Sequence, residues 1–246
     1  MTERVALISG AGSGIGRATA LLLAAAGWRV AIVGRRVDAL EETAASIGDA
    51  EDSRVLILTG DVSIAEQAAA AVEQTVARFG RIDAVVNNAG SAPLAPIDKT
   101  TPEMLRECFA VNAIAAGYVI AASWPVFRRQ AEEAKAQGEA ARATVVNVSS
   151  MATRDPFAGF FAYAAAKASV NLMAQSCAKE GRAIGVRGFA VAPGAVETPM
   201  LRANFPEKMI PKAKALAPED VARIIVACIN GERDAENGQV IWVPSP

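Results

Sequence analysis

The sequence predicts a doubly wound α/β fold, with about seven parallel strands in one sheet and helices on both faces. Three observations carry that prediction. Short continuous apolar runs alternate with longer amphipathic or alanine-rich stretches along all 246 residues. The apolar runs lack polar alternation, the pattern of strands buried on both faces. Enough chain separates each run from the next for the helical crossover that parallel strands need.

In order, residues 5–9 form a β-branched and aliphatic run that ends in glycines, and a helix over 15–26 follows until Gly27 stops it. Strand two covers 29–33 and helix two 37–47. Strand three is 55–58, and the helix over 64–79 behind it ends at Gly80. Strand four spans 82–86, and a long helical stretch occupies 102–127. Residues 128–142, rich in Ala, Glu, Gln and Lys, read as a solvated helical extension leading to strand five at 144–148. A helix over 161–180, strand six at 186–191, a helix over 218–230 and a closing strand at 239–243 complete the series. This is the order of a Rossmann-type sheet in one domain over 1–246. Such sheets bind ligands outside the carboxyl ends of the strands, where the strand order reverses.

Composition narrows the chemistry. Lys plus Arg total 25 against 26 Asp plus Glu, so no basic block points to nucleic acid and no polybasic run to a membrane surface. Small molecules and further copies of the chain are the expected partners. The first residues lead straight into a strand and do not resemble a signal peptide. No uninterrupted apolar run approaches the roughly 20 residues of a bilayer span, so a cytoplasmic protein is expected. Cys108, Cys177 and Cys228 are widely spaced, which fits buried free thiols better than disulfides or a metal site. The chain has no histidine. That excludes a His general base, every Ser-His-Asp arrangement and His-rich zinc sites, leaving acid–base work to Tyr, Lys, Asp, Glu or Cys.

Strand one runs into Ser9-Gly10-Ala11-Gly12-Ser13-Gly14-Ile15-Gly16. Glycines allow a tight strand-to-helix turn and close approach of backbone to a pyrophosphate, and the helix N-terminus offers free N–H groups. The G-x-G-x-x-G spacing fails because Ile15 stands where its last glycine belongs; G-x-x-x-G-x-G fits on Gly10, Gly14 and Gly16. A glycine cluster alone is a common turn, but here it has the strand–turn–helix context of a dinucleotide site. No Walker lysine is present. Strand two ends in Val33-Gly34-Arg35-Arg36, where an NAD-binding protein of this design usually carries a carboxylate for the ribose 2′-hydroxyl. A guanidinium there suits a 2′-phosphate instead. NADP(H) is therefore expected over NAD(H), with Arg35 as the contact, the alternative being that both arginines merely cap an exposed loop.

Tyr163 and Lys167 lie four residues apart in a helical stretch and share a face. A tyrosine titrates near 10, too high for an efficient base, and a neighbouring ammonium favours its phenolate. Ser150 stands just after strand five, at the ligand-binding edge, where its hydroxyl can hold a substrate oxygen. A Tyr–Lys pair by itself means little; joined to the serine and the glycine turn it is specific.

With these pieces the chain resembles the short-chain dehydrogenase/reductase family over essentially its full length. The further matches, in family order, are Asp61-Val62 after strand three, Asn87-Asn88-Ala89-Gly90 after strand four, Asn112 in the following helix and Pro193-Gly194 with Thr198 after strand six. The resemblance implies that Tyr163 is the acid/base, Lys167 lowers its pKa and bonds the nicotinamide ribose, and Ser150 polarises the substrate oxygen. Asn112 would hold a helix distortion and a proton-relaying water. Ser13 and Ile15 would join the turn glycines at the pyrophosphate, Asp61 and Val62 flank the adenine, and Asn88, Ala89 and Gly90 line its ribose. The run from Pro193 through Val196 to Thr198 would cover the nicotinamide. Read alone, Asp61 is equally a helix N-cap and Pro193-Gly194 a turn.

Two departures stand out. Ser9 replaces the usual threonine and keeps its hydroxyl, and the segment between Asn112 and Ser150 is longer than the family usually shows. The family also implies self-association, as a tetramer or dimer, through the 102–127 and 161–180 helices.

Residues 198–216 would cap the substrate. Met200, Leu201, Phe205, Met209 and Ile210 there, with Met151, Phe157, Phe160 and Phe161 before the tyrosine, predict an apolar wall for a hydrophobic ketone, aldehyde or acyl chain. Several of these side chains fit a core or interface equally well. A small-molecule carbonyl reductase or alcohol dehydrogenase is the leading reading. A 3-oxoacyl-thioester reductase is a subtype, for which Arg128, Arg129, Lys208 and Lys212 offer a weak basic surface. The competing class is a non-catalytic dinucleotide sensor on the same fold; the Asn112, Ser150, Tyr163 and Lys167 set favours an enzyme.

Overall fold

Apolar, largely β-branched segments form the strands of this protein, and helices with one apolar side connect most of them and return to the sheet. The computed structural model describes residues 3–48 and 54–246. In chain order the strands are β1 (Val5–Ser9), β2 (Arg29–Gly34), β3 (Val55–Thr59), β4 (Ala84–Asn87), β5 (Ala143–Val148), β6 (Val186–Pro193) and β7 (Val240–Val243). The main helices are α1 (Gly14–Ala25), α2 (Val37–Ile47), α3 (Ala65–Phe79), α4 (Pro102–Phe109), α5 (Ala115–Ala136), α6 (Phe161–Glu180), α7 (Pro199–Asn204) and α8 (Pro218–Asn230).

All seven strands pair in parallel, in the order β3-β2-β1-β4-β5-β6-β7. This is the expected doubly wound Rossmann-type sheet. Successive side chains of β1 enter opposite layers, as the strand period of two requires. Ala6 and Ile8 pack with Leu23 of α1, Leu40 of α2 and Ile225 of α8. Val5 and Leu7 pack with Val72 of α3, Val119 and Phe127 of α5 and Cys177 of α6. The order reverses between β1 and β4, so the chain leaves these neighbours in opposite directions and opens a cleft at their carboxyl ends.

The helix expected over 102–127 is not continuous. Thr101 caps α4 by accepting a bond from the Met104 N–H at 3.2 Å, with Pro102 in the first turn. A π-turn, Ala110–Ile114, then separates α4 from α5. The whole run Pro102–Ala136 is long and apolar enough to cross a membrane by length and composition, although it holds no uninterrupted apolar stretch of that length. Here it packs as a layer helix, burying Val119 and Phe127 against the sheet.

The 128–142 extension continues α5 to Ala136, but it is not merely solvated. The Gln130 amide accepts from the Ile82 N–H and donates to the Ile82 carbonyl, both at 2.8 Å, and Arg129 donates to Gly80 O at 3.2 Å. These bonds anchor it at the amino ends of the strands, away from the cleft. All three cysteines are free and buried, and burial pushes Cys177 and Cys228 up to about 12.

Candidate active site

The cleft measures about 670 Å³, and the turn between β1 and α1 forms one end of it. Gly10 and Gly14 adopt φ of 66° and 53°, the left-handed region that side chains disfavour. Gly16 is needed for contact: a Cβ there would collide with the Asn88 amide and the Gly10 carbonyl oxygen. The Asn88 side chain donates to Ser9 O at 3.0 Å and Gly10 O at 3.1 Å, while Ser9 Oγ accepts from the Asn88 and Ala89 N–H groups, each at 3.0 Å. The hydroxyl at position 9 thus stitches the glycine turn to the loop after β4. Gly16→Ala should cost about 1–3 kcal/mol through overpacking, read as a lower Tm; an unchanged Tm would show that the Asn88 contact yields freely.

Arg17, which the sequence reading passed over, locks the turn to α2. Its guanidinium donates to Gly12 O at 2.6 Å, Thr43 Oγ1 at 3.0 Å, Ala39 O at 3.3 Å and Glu42 at 2.8 Å. The available signal was a basic residue immediately after the last glycine.

At the end of β2, Arg35 and Arg36 line the cleft opposite Asp61 and Val62. Arg35 is 70% exposed, and its guanidinium stands 3.9 Å from the Asp61 carboxylate. Asp61 does not cap α3, whose N-cap is Ile64. It accepts instead from the Ser63 N–H at 2.9 Å and Ser63 Oγ at 2.7 Å. Burial works to raise its pKa, but the Ser63 bonds and the Arg35 charge hold it below the usual value.

The catalytic candidates meet at the other end. Ser150 follows β5, and its Oγ accepts from the Ala152 N–H at 3.1 Å, fixing a short 3-10 turn. Tyr163 and Lys167 project from one face of α6, which Gly188 of β6 admits closely: a Cβ at that glycine would overlap the Ala174 carbonyl. Lys167 Nζ donates to Val148 O at 2.8 Å. Burial depresses Lys167 to about 8. Burial likewise raises Tyr163, against the lowering effect of its hydrogen bond with Ser150, and Cys108 nearby adds to the rise. The lowering of the tyrosine by Lys167 that the resemblance implies is not among the influences on Tyr163, of which burial is the largest. Both groups are shielded from water, and desolvation disfavours the charged form of each.

Asn112 sits inside the π-turn, buried. Its Nδ2 donates to Ser91 O at 2.8 Å and Cys108 O at 3.0 Å, and its Oδ1 accepts from the Ser91 N–H at 3.1 Å. The bond to Cys108 O satisfies a carbonyl of the distorted helix, and the pair to Ser91 ties the π-turn to the loop after β4. At Gly90 a Cβ would lie 2.9 Å from Asn112 Oδ1 and 3.3 Å from Lys167 Nζ, so the glycine lets the three elements converge. Of the residues selected from sequence for catalysis and cofactor contact, only Gly16 and Asn112 do not line the cleft. Gly10, Ser13, Gly14, Ile15, Ala89, Pro193, Gly194, Val196 and Thr198 all do.

Beyond Tyr163 the wall is aromatic. Phe160 lies 5.1 Å from the Tyr163 ring centroid, 5.9 Å from Phe157 and 6.1 Å from Phe205. Met151, Met200, Leu201 and Ile210 complete it, whereas Phe161 and Met209 are exposed and do not line the cleft. The short helix α7 was not expected. Thr198 caps it by accepting from the Leu201 N–H, and Asn204 donates to Ala92 O at 2.9 Å across the cleft. Pro244, Ser245 and Pro246 also line the cleft, with no sequence signal beyond their position after the closing strand.

Comparison with known proteins agrees with this geometry. Residues 4–209 match the family model for short chain dehydrogenases. A 3-oxoacyl-[acyl-carrier-protein] reductase of Thermotoga maritima is 34% identical over 250 residues, covering 98% of this chain and 96% of its own. The crystal structure of a 3-ketoacyl-(acyl-carrier-protein) reductase from Brucella melitensis, complexed with NADH, superposes with a TM-score of 0.88 at 29% identity, covering 99% and 98% of the two chains. Levodione reductase superposes with a TM-score of 0.87 at 30% identity, covering 99% and 97%. Fold, cleft and sequence agree: the chain belongs to the short-chain dehydrogenase/reductase family.

Proposed function

We propose that this protein is an NADP(H)-dependent carbonyl reductase, or the reverse alcohol dehydrogenase, with Tyr163 as the acid/base. The observation that carries the reading is the meeting of Tyr163, Ser150 and Lys167 in the same cleft as the glycine turn. The positive-φ glycines and the close Gly10–Gly16–Asn88 packing form a backbone cradle of the kind a pyrophosphate needs. A nicotinamide dinucleotide, when bound, supplies the hydride.

The remaining roles belong to this chain. Ser150 Oγ orients the substrate oxygen beside the Tyr163 hydroxyl. Tyr163, a phenol whose pKa burial raises further above its ordinary value, donates its proton to the oxygen as negative charge develops there. Lys167 and the buried Asn112 converge beside Gly90, and a water held by Asn112 would relay the replacement proton from solvent through Lys167. Gly10, Ser13, Gly14, Ile15 and Gly16 hold the pyrophosphate, and Asp61, Val62, Asn88, Ala89 and Gly90 hold the adenosine. Pro193, Gly194, Val196 and Thr198 cover the nicotinamide. Arg35, exposed at the adenosine end, selects the 2′-phosphate.

The aromatic wall favours a hydrophobic ketone. The carrier-protein subtype gains little from Arg129, which is held at the opposite edge of the sheet. Phe157 is 67% exposed and lines the cleft, so Phe157→Ala should leave Tm nearly unchanged and raise KM for a bulky hydrophobic ketone. Loss of about 1–3 kcal/mol of apolar contact gives roughly a 5- to 150-fold effect. An unchanged KM would remove Phe157 from the substrate wall. Self-association through the 102–127 stretch and α6 fits the exposed Ile114 of the π-turn, Tyr118 of α5, and Phe161 and Leu172 of α6.

The direct test is a fluorescence titration with NADPH and NADH, followed by a ketone and alcohol panel read at the nicotinamide absorbance. Tighter NADPH binding with turnover supports the reading. Tight binding without turnover on a broad panel favours the sensor, and no binding of either dinucleotide overturns both.

A further inference from the structure

The loop after β6 runs from Pro193 to Thr198, and the structure shows what fixes its shape. Pro193 pairs with Val243 in the β6–β7 ladder. The Gly194 N–H donates to Val243 O at 2.9 Å, and the next N–H, of Ala195, donates to the side chain Ser245 Oγ at 2.9 Å. On the other side, Glu197 N–H donates to Leu216 O and Leu216 N–H to Ala195 O, both at 2.9 Å. Because these flanking groups point to Leu216, the Val196 N–H and C=O point away from it. Thr198 Oγ1 donates to the Val196 carbonyl at 3.1 Å. Among the described residues the Val196 N–H has no partner, so the brace leaves one unpaired backbone donor in a loop that lines the cleft.

One side of this brace is a side chain. Gly194 and Ser245 are so close that a Cβ on the glycine would overlap Ser245 Oγ. Prolines flank the serine on both sides; they fix φ and bring no N–H of their own to satisfy. Pro244-Ser245-Pro246 is thus a stiff segment presenting one acceptor to one loop N–H.

We infer that Ser245 is a positioning residue for the nicotinamide half of the cofactor: it fixes the peptide plane between Gly194 and Ala195 and, through it, the direction of the Val196 N–H. The inference rests on the dinucleotide reading above. It makes a prediction that a merely structural serine does not, because the adenosine end, built on Arg35, Asp61 and the glycine turn, makes no bond to Ser245.

The experiment compares two ligands on wild type, Ser245→Ala and Ser245→Thr, with Tm recorded for each. NADPH engages both halves of the cleft, whereas adenosine 2′,5′-bisphosphate has no nicotinamide. Loss of one neutral hydrogen bond predicts NADPH binding weaker by about 2- to 13-fold in Ser245→Ala, with a lower kcat on any ketone turned over. Affinity for the bisphosphate should not change, and Ser245→Thr, which keeps the acceptor, should recover most of the loss. Equal weakening of both ligands, undiminished NADPH binding in Ser245→Ala, or a threonine variant as impaired as the alanine variant each overturns the assignment. Wild-type protein that binds the bisphosphate but not NADPH overturns it too, while failure to bind either ligand overturns the NADP(H) reading on which the assignment rests.

Discussion

Tyr163→Phe is expected to remove turnover while leaving NADPH binding intact. The substitution deletes the hydroxyl and keeps the ring, which packs 5.1 Å from Phe160 in a buried cluster, so the fold should survive. General acid–base groups contribute about 10²–10⁴-fold to rate, and with no histidine in the chain no imidazole can take over. Ser150 is tied to the Ala152 N–H and can hold an oxygen but cannot replace an acid. Steady-state kinetics beside a fluorescence titration check both halves of the claim. Residual activity within tenfold of wild type would remove Tyr163 from the proton transfer.

The same residue sets a pH signature. Burial raises its pKa above the ordinary value of 10.0. Reduction consumes the protonated phenol, so it should hold level through neutral pH. Alcohol oxidation needs the phenolate, whose fraction grows with pH, so that direction should accelerate as the solution becomes alkaline. Opposite slopes would place the titrating group elsewhere.

Arg35→Ala is expected to weaken NADPH by about 10- to 150-fold, the loss of a hydrogen bond to a charged group, and to leave NADH nearly unaffected. The geometry gives the loss two sources. The guanidinium itself is removed, and Asp61, 3.9 Å away, loses the cation that helps keep its pKa low. A carboxylate without that neighbour faces the 2′-phosphate as a like charge. Paired titrations with the two dinucleotides, repeated at higher salt, read the effect, which screening should shrink. Equal weakening of both would sink the 2′-phosphate assignment. The NADH in the Brucella melitensis relative makes this the measurement that decides cofactor choice.

How much of this was legible in the sequence differs from element to element. The sheet was readable because strands buried on both faces are predominantly apolar, and β1, β5 and β6 are buried at every residue. The glycine turn was readable because positive φ and close backbone contact tolerate little besides glycine. Tyr163 and Lys167 were readable as a pair because α-helical spacing alone puts them on one face. The break at Ala110–Ile114 came only through the family resemblance. Its cause is the Asn112 side chain bonding to Ser91, 21 residues away along the chain, and no local propensity encodes that bond.

Local sequence by itself determined the strands, most of the long helices, the parallel layering and the residue types available for acid–base chemistry, because these depend on period, conformational freedom and side-chain identity. Only the tertiary structure decided the electrostatics and the walls. It made burial the dominant influence on Tyr163 and Lys167, brought Arg35 to Asp61, and turned Gln130 and Arg129 towards the far edge of the sheet. It also placed Ser245 behind the Gly194–Ala195 peptide, 50 residues further along the chain. Desolvation and long-range hydrogen bonds depend on which segments meet in space, and a stretch of chain carries no record of its partners until the sheet has brought them together.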